Sequence, residues 1–427
     1  MKRKIVDFFE VSHLFLISIS AAVAWSIQYF PGAQPLVERI SFKINDPSWV
    51  PDGFEAKPIL GEHYFGDFEL FYAWAKEANP YTAPYPAQHL PTGQLLLKFF
   101  PIFPIEIAYL LYLGISLALL FVGAHVLTQR QRLSSGITRT TIIFGVLSLP
   151  TIVDFDRGNT QTIVVSLVAC FIGLGLNKNY RSALLVLLIA ISLKPYLILI
   201  SLAFIRRSNF GTHLKFLSGF GLVNVALMLV FSPNLVYGFY QWAVGMSRYA
   251  GESGLGWIAH SGSLVGAIYR QFEFFVGFES SFEVLKQSLW VVQLVSIAMV
   301  VLALVIWHQE GLPTWIRVAG LFSIISVAQA GSGAYQWVWV GLVVVFYLHS
   351  HYDDHKQFLG SRFERLYLQI VAGLALIPTW ILFPSPGGTL RSITNFMFVS
   401  PLILAGFILA LLLLWRNHVR STKLAAR

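Results

Sequence analysis

Charge is scarce in this chain. Asp, Glu, Lys and Arg make up 12% of its 427 residues against 56% hydrophobic ones, and the mean hydropathy is +0.65. So small a charged fraction excludes a string of soluble domains and points to a protein embedded in a bilayer. Cysteine is almost absent as well. Cys170 stands alone inside the apolar run Thr162–Leu176, so it closes no disulfide within the chain and reads as small packing filler. There is no glycine-rich phosphate loop, internal repeat, low-complexity linker or soluble nucleotide-binding segment. The net charge of +9 does not imply nucleic acid, because the basic residues gather in short turns between apolar runs and in the two tails.

What is there is a succession of apolar runs, long enough to cross or nearly cross a hydrocarbon core of about 30 Å. They cover 12–30, 104–127, 139–153, 160–177, 213–231, 287–307, 313–331, 334–349, 366–383 and 395–415. The first follows Met1-Lys2-Arg3-Lys4 and lacks a clear cleavage site, so it is expected to stay as an uncleaved span. The stretch 182–205 differs, with arginines at both ends and Lys194-Pro195 in its middle. Proline removes a backbone donor and breaks a helix, so two half-length arms meeting at Lys194 predict a tight hairpin. With that hairpin the basic turns, from Arg130, Arg132 and Arg139 through Lys178 and Arg181 to Arg362 and Arg365, fall on one side together with both termini. The expectation is an all-α polytopic membrane protein of about 12 transmembrane helices, one integral-membrane domain over 1–427, with its termini cytoplasmic.

The opposite side receives the long outer loops 31–103 and 232–286, both rich in aromatic residues and suited to amphipathic helices at the headgroup level. On a helical wheel drawn over Asp67–Ala78, the residues Phe68, Leu70, Phe71, Tyr72, Trp74, Ala75 and Ala78 form one apolar stripe with Asp67 near its middle. Glu69, Lys76 and Glu77 fall on the opposite face and are expected to be solvated. Asp67 has two readings. It caps the helix after Gly66, or it is a general base at the membrane surface aimed at a hydroxyl group; burial beside aromatic rings demands a compensating charge or ligand.

The order Asp67, then Asn79-Pro80-Tyr81, then Tyr85-Pro86-Ala87 resembles the bacterial family-87 glycosyltransferases of the glycosyltransferase-C superfamily. That family includes polyprenol-phosphate-mannose-dependent mannosyltransferases. The last element departs from the family's Tyr-Pro-Pro-like form by one proline. "DRGNTQ" is similar to the family's Arg-Gly-Asn turn, "LKPY" to its Leu-Lys-x-Tyr/Pro break, and "HSGSLVGAIYR" to its Asn-x-Ser-Leu-x-Gly segment, with Ser261-Gly262-Ser263 in place of Asn-Gln-Ser. The likeness spans about residues 60–350. Where the family often carries histidine before a Trp-rich span, this chain has Tyr335 and Gln336.

The resemblance implies a glycosyltransferase that moves a hexose, mannose first, from a polyprenyl-phosphate donor to an acceptor hydroxyl on the extracytoplasmic face of a bacterial inner membrane, with inversion. Asp67 is then the catalytic base. Lys194, Arg157, Arg248 and Arg270, with Arg391 a further outer cation, are expected to meet the donor phosphate. Tyr81, Tyr85, Asn159, Gln161, His260, Ser263, Tyr335 and Gln336 are expected to touch substrate. Bland alternatives stand beside these: Lys194 snorkels to headgroups, Arg157 pairs locally with Asp154 or Asp156, Arg248 and Arg270 meet lipid phosphate, and His260 is a polar loop constituent. Asp67 and Glu69 diverge two positions apart on a helix, so neither a metal nor another cofactor is expected. The partners are the lipid donor, a glycolipid or polysaccharide acceptor and membrane lipids, with no nucleic acid. The rivals are a transporter or flippase of lipid-linked sugars and an O-antigen polymerase or ligase.

Overall fold

Inside hydrocarbon every backbone amide needs an internal partner, so the apolar runs fold as helices. A computed structural model describes residues 66–82, 87–128, 135–205, 209–248, 264–276, 284, 287, 289–309, 311–327, 334–349, 361–376, 380–384, 390–394 and 399–425. In chain order the helices are α1 (Gly66–Lys76), α2 (Pro91–Leu97), α3 (Ile105–Leu127), α4 (Ser135–Thr140), α5 (Leu149–Arg157), α6 (Gln161–Leu176), α7 (Tyr180–Leu193), α8 (Ile198–Ser201), α9 (Phe210–Phe231), α10 (Leu235–Arg248), α11 (Leu264–Val276), α12 (Leu289–His308), α13 (Thr314–Val327), α14 (Val338–His349), α15 (Ser361–Leu376) and α16 (Val399–Ala425). Among the described residues three segments, Ile105–Leu127, Phe210–Phe231 and Val399–Arg416, are long and apolar enough to cross a bilayer, and six apolar helices of 10–17 residues accompany them. The expected span 12–30 lies outside the described residues.

Helix α6 is the central post, buried along nearly its whole length and packed by α3, α7, α13 and α14. The periphery turns apolar side chains outward, among them Leu222 and Val230 on α9, Ile297 on α12 and Leu412 on α16. Such a surface suits lipid rather than water. Cys170 is buried within α6.

The predicted hairpin is present. Helix α7 ends at Leu193, Lys194 is extended, and Pro195 opens a 3₁₀ turn that leads through α8 to a second 3₁₀ turn, Leu202–Phe204. The Phe204 ring lies 6.4 Å from that of Tyr180, where α7 begins, and 4.8 Å from Phe171. The second arm therefore returns to the start of the first, with Lys194 at the tip.

Three expectations need correction. The run 139–153 is not one helix: α4 passes into a π-helical segment, Thr141–Val146, and stops, and α5 starts anew at Leu149 with Pro150 in its first turn. Proline fits only there, and the Ser148 hydroxyl bridges the break, donating to the Gly145 carbonyl at 2.9 Å and lying 3.0 Å from the Thr151 hydroxyl. The run 366–383 does not stay helical either. Helix α15 ends at Leu376, and β1 (Trp380–Pro384) pairs antiparallel with β2 (Leu390–Thr394), with Trp380 opposite Thr394, a single two-stranded hairpin among the described residues of an otherwise helical fold. Finally, Glu69 is buried, 7% exposed, rather than solvated with Lys76 and Glu77. Helix α1 is enclosed by α2, α3, α5 and the 3₁₀ turn Phe100–Ile102, so more than one of its faces is covered.

Candidate active site

Helix α1 carries the acidic side chain and is seated by aromatic packing at one end and capping at the other. The Phe68 ring sits 5.7 Å from Phe100 and 5.3 Å from both Tyr109 and Tyr112. The Tyr72 hydroxyl donates to the Phe103 carbonyl at 2.8 Å. At the C-terminal end the Lys98 ammonium donates to the carbonyls of Ala75 and Glu77, at 3.2 and 2.9 Å, where the helix dipole favours a cation.

The α5–α6 turn faces the start of α1. Gly158 ends α5 at φ 67°, a left-handed conformation that glycine adopts without steric cost. Its lack of a side chain matters equally, since a Cβ there would overlap Phe68. The turn is held from α3 by Tyr109, whose hydroxyl donates to the Phe155 carbonyl, and by Tyr112, whose hydroxyl donates to the Asn159 carbonyl.

This close approach lets Arg157 reach Asp67. Its Nε and Nη2 donate to the two carboxylate oxygens, each at 2.9 Å, and the Asn159 amide adds a third bond at 2.8 Å. The two charged side chains are 18% and 13% exposed for Asp67 and Arg157. Burial alone would raise the Asp67 carboxyl. The charge and hydrogen bonds of Arg157, the Asn159 amide and the charge of Lys194 outweigh it and hold Asp67 below the usual carboxylate range. Both oxygens of Asp67 are thus engaged by the α5–α6 turn, and Arg157 turns to Asp67 rather than to Asp154 beside it in sequence.

Lys194 reaches the same place from the hairpin tip. Its ammonium feels Asp67, Asp154 and Arg157 yet makes no direct ion pair with a described carboxylate. The tip is tied to the loop before α2: the Leu90 amide donates to the Ser192 carbonyl at 3.1 Å, and the Thr92 hydroxyl lies 2.7 Å from the Ser192 hydroxyl and 3.0 Å from the Asn224 side-chain oxygen. Gly93 permits this contact, because a Cβ would meet the Ser192 carbonyl.

That loop holds a residue that sequence reasoning passes over. His89 is buried, edge-on to Phe71 at 4.9 Å and Trp74 at 5.7 Å, with its Nδ1 3.3 Å from the Gln94 amide nitrogen. Burial, and then the charge of Lys194, push its pKa down to about 3, so the ring is neutral. No motif of the sequence singled it out.

The remaining residues divide. Tyr81 is wholly buried and gives its hydroxyl to the His89 carbonyl at 3.1 Å, while Asn79 accepts the Tyr81 amide, so this triplet shapes the His89 loop. Asn159 and Gln161 line the α6 N-terminus with buried polar atoms that have no protein partner: Oδ1 of Asn159 and both amide atoms of Gln161. Gln336 is buried on the 3₁₀ turn Ala334–Trp337, which also contains Tyr335 and packs against α5 and α6. Arg248 ends α10; Arg270 lies on α11, whose main neighbours are α12, α16 and β2; Arg391 lies on β2. None of those elements is a main neighbour of α1. Tyr85, His260 and Ser263 fall outside the described residues. Among the described residues no cluster of three or more His, Cys, Asp or Glu is arranged to hold a metal ion.

Residues 88–328 match a family model described as Glycosyltransferase family 87, somewhat more than half of the chain. The matched segment contains His89, Asp154, Arg157, Asn159, Gln161 and Lys194; Asp67 precedes it. No curated protein and no solved structure gives a match.

Proposed function

Because this chain belongs to glycosyltransferase family 87 and is thus a membrane glycosyltransferase, we propose that it transfers a hexose, with mannose the first to test, from a polyprenyl-phosphate donor to an acceptor hydroxyl, with inversion, on the extracytoplasmic face of a bacterial inner membrane. The carrying observation is the meeting of three elements: Asp67 on α1, Arg157 and Asn159 on the α5–α6 turn, and Lys194 at the hairpin tip.

The roles follow from charge. Asp67 is ionised throughout the neutral range and accepts the proton of the acceptor hydroxyl as the new C–O bond forms at the anomeric carbon. A carboxylate held this low is a weak base, so proton transfer comes late, when the hydroxyl has become acidic. The anomeric C–O bond to phosphate breaks on the opposite side, its electron pair leaving with the phosphate. Arg157 is largely neutralised by Asp67, which makes Lys194 the principal cation for the departing charge. Asn159, Gln161 and Gln336 offer polar atoms to sugar hydroxyls; for Asn159 Oδ1 and the Gln161 amide, an unmatched buried donor or acceptor costs about 1–3 kcal/mol, which a bound hydroxyl relieves.

The test is transfer in sealed vesicles from radiolabelled polyprenyl-phosphate mannose. Label should move to the acceptor fraction with the wild-type protein and fail to move with Asp67→Asn folded normally. Label that crosses the bilayer still attached to its lipid indicates a flippase instead, and undiminished transfer by Asp67→Asn removes the assigned base.

A further inference from the structure

Asp154 is a second carboxyl in this site and takes no part in the roles above. It is completely buried on α5, three residues before Arg157. Its Oδ2 accepts the Thr162 amide at 2.7 Å, capping α6, whereas its Oδ1 has no hydrogen-bond partner. A buried carboxylate oxygen without a donor is costly; the same oxygen carrying a proton becomes a donor that needs an acceptor. The charged groups that reach it are Lys194 and Asp67. Tyr112 of α3 is the neutral titratable group against it, and Arg157 on its own helix is turned to Asp67; the π-helical segment, α6 and the Ala334–Trp337 turn carry no charged residue, while α1 also carries Glu69 and α15 carries Arg362, Glu364 and Arg365 near its start.

The charge count has a consequence. Among the four groups within mutual electrostatic reach, with Asp67 paired to Arg157, an ionised Asp154 offsets Lys194 and leaves the set neutral, while a protonated Asp154 leaves one positive charge in excess. Only the second state suits the singly charged phosphodiester of a lipid-linked sugar.

We infer that Asp154 is a proton-dependent part of the donor site, neutral when the phosphodiester is bound and charged when the site is empty at alkaline pH, so that donor binding takes up one proton there. This rests on the reading of Lys194 as the phosphate's cation. The burial that strips water from Asp154 raises its carboxyl to about 7, in spite of the Thr162 bond and the charge of Lys194, which brings the switch into the working range.

The experiment measures donor KM and kcat for polyprenyl-phosphate mannose from about pH 6 to about pH 8.5, across which a phosphodiester does not titrate. Wild-type donor KM should be flat on the acid side and rise about tenfold per pH unit above about pH 7, with kcat little changed. Asp154→Asn keeps an acceptor for the Thr162 amide and cannot ionise, so its donor KM should stay flat and fall below the wild-type value at about pH 8. Calorimetry of donor binding in buffers of different ionisation enthalpy supplies a second reading that does not depend on the variant folding: about one proton should be taken up by the wild type near pH 7.5. No uptake by the wild type overturns the inference. So does uptake, or a pH-dependent KM, that persists in Asp154→Asn, since the proton then sits on Lys194. Failure of Asp67→Asn to abolish transfer sinks the functional reading itself; an inactive Asp67→Asn beside an Asp154→Asn that titrates like wild type sinks this inference alone.

Discussion

Asp67 and Arg157, ninety positions apart in sequence, meet through two parallel hydrogen bonds of 2.9 Å. The fork geometry orients the carboxylate as well as neutralising it, which a lysine's point charge cannot do. Arg157→Lys is therefore expected to lower stability by roughly 1–3 kcal/mol and to cut transfer more than donor binding. Thermal unfolding in detergent, run beside kcat and donor KM, checks this.

Removing the guanidinium altogether frees the Asp67 carboxyl from its strongest depressing influence while burial continues to raise it. In Arg157→Ala the acid limb of the pH–rate profile should move up by at least about one unit, because protonated Asp67 accepts no proton. An acid limb unchanged from wild type would show that it reports another group.

Among the described residues Lys194 is the site's cation without a direct carboxylate partner. Lys194→Met should reduce kcat/KM for the donor by about 10²-fold, with acceptor KM nearly unaffected. Equal losses for donor and acceptor, each varied in turn, would speak against a phosphate role.

Gly158 combines a positive φ with a backbone surface pressed on Phe68. Gly158→Ala should cost about 1–3 kcal/mol from the dihedral alone, and displacing α1 from the turn should abolish transfer. Far-UV circular dichroism through a melt, with an activity assay on the same sample, distinguishes displacement from global unfolding.

His89 is held neutral down to about pH 3. Its pKa is lowered on folding, so it contributes stability fully above the unfolded value of about 6.5 and loses that contribution as pH falls toward 3. His89→Gln should therefore show a weaker loss of stability between about pH 6.5 and about pH 4 than wild type. An imidazole nitrogen signal of the charged form at about pH 5 would refute the assignment.

Much of the helical framework was legible because its signals are local. Length and hydropathy mark α3, α6 and α9, and a lysine and proline between arginine-flanked arms mark the hairpin. Asp67 stood out because a carboxylate in an apolar stripe needs a reason. Its partner carried no such mark: Arg157 has two aspartates within three positions, and only the α5–α6 turn, set by Gly158 against Phe68, decides between them. Glu69 was misread because a wheel knows one helix and not the elements around it. The segment 380–394 was missed because a short apolar run looks alike as strand or helix, and the break at Leu147–Ser148 because hydropathy averages over it.

The interruption at Pro195 ends α7 early, so the carbonyl of Ser192 has no amide one turn further along its own helix and accepts that of Leu90 instead. The cation at the tip and the histidine loop are thereby tied to one another by main chain, before any sugar arrives. A basin assembled in advance has little to rearrange during turnover. The slow step such an architecture favours is the sideways passage of a long-tailed lipid between helices, and turnover should then respond to bilayer fluidity more than to the chemistry of the leaving group.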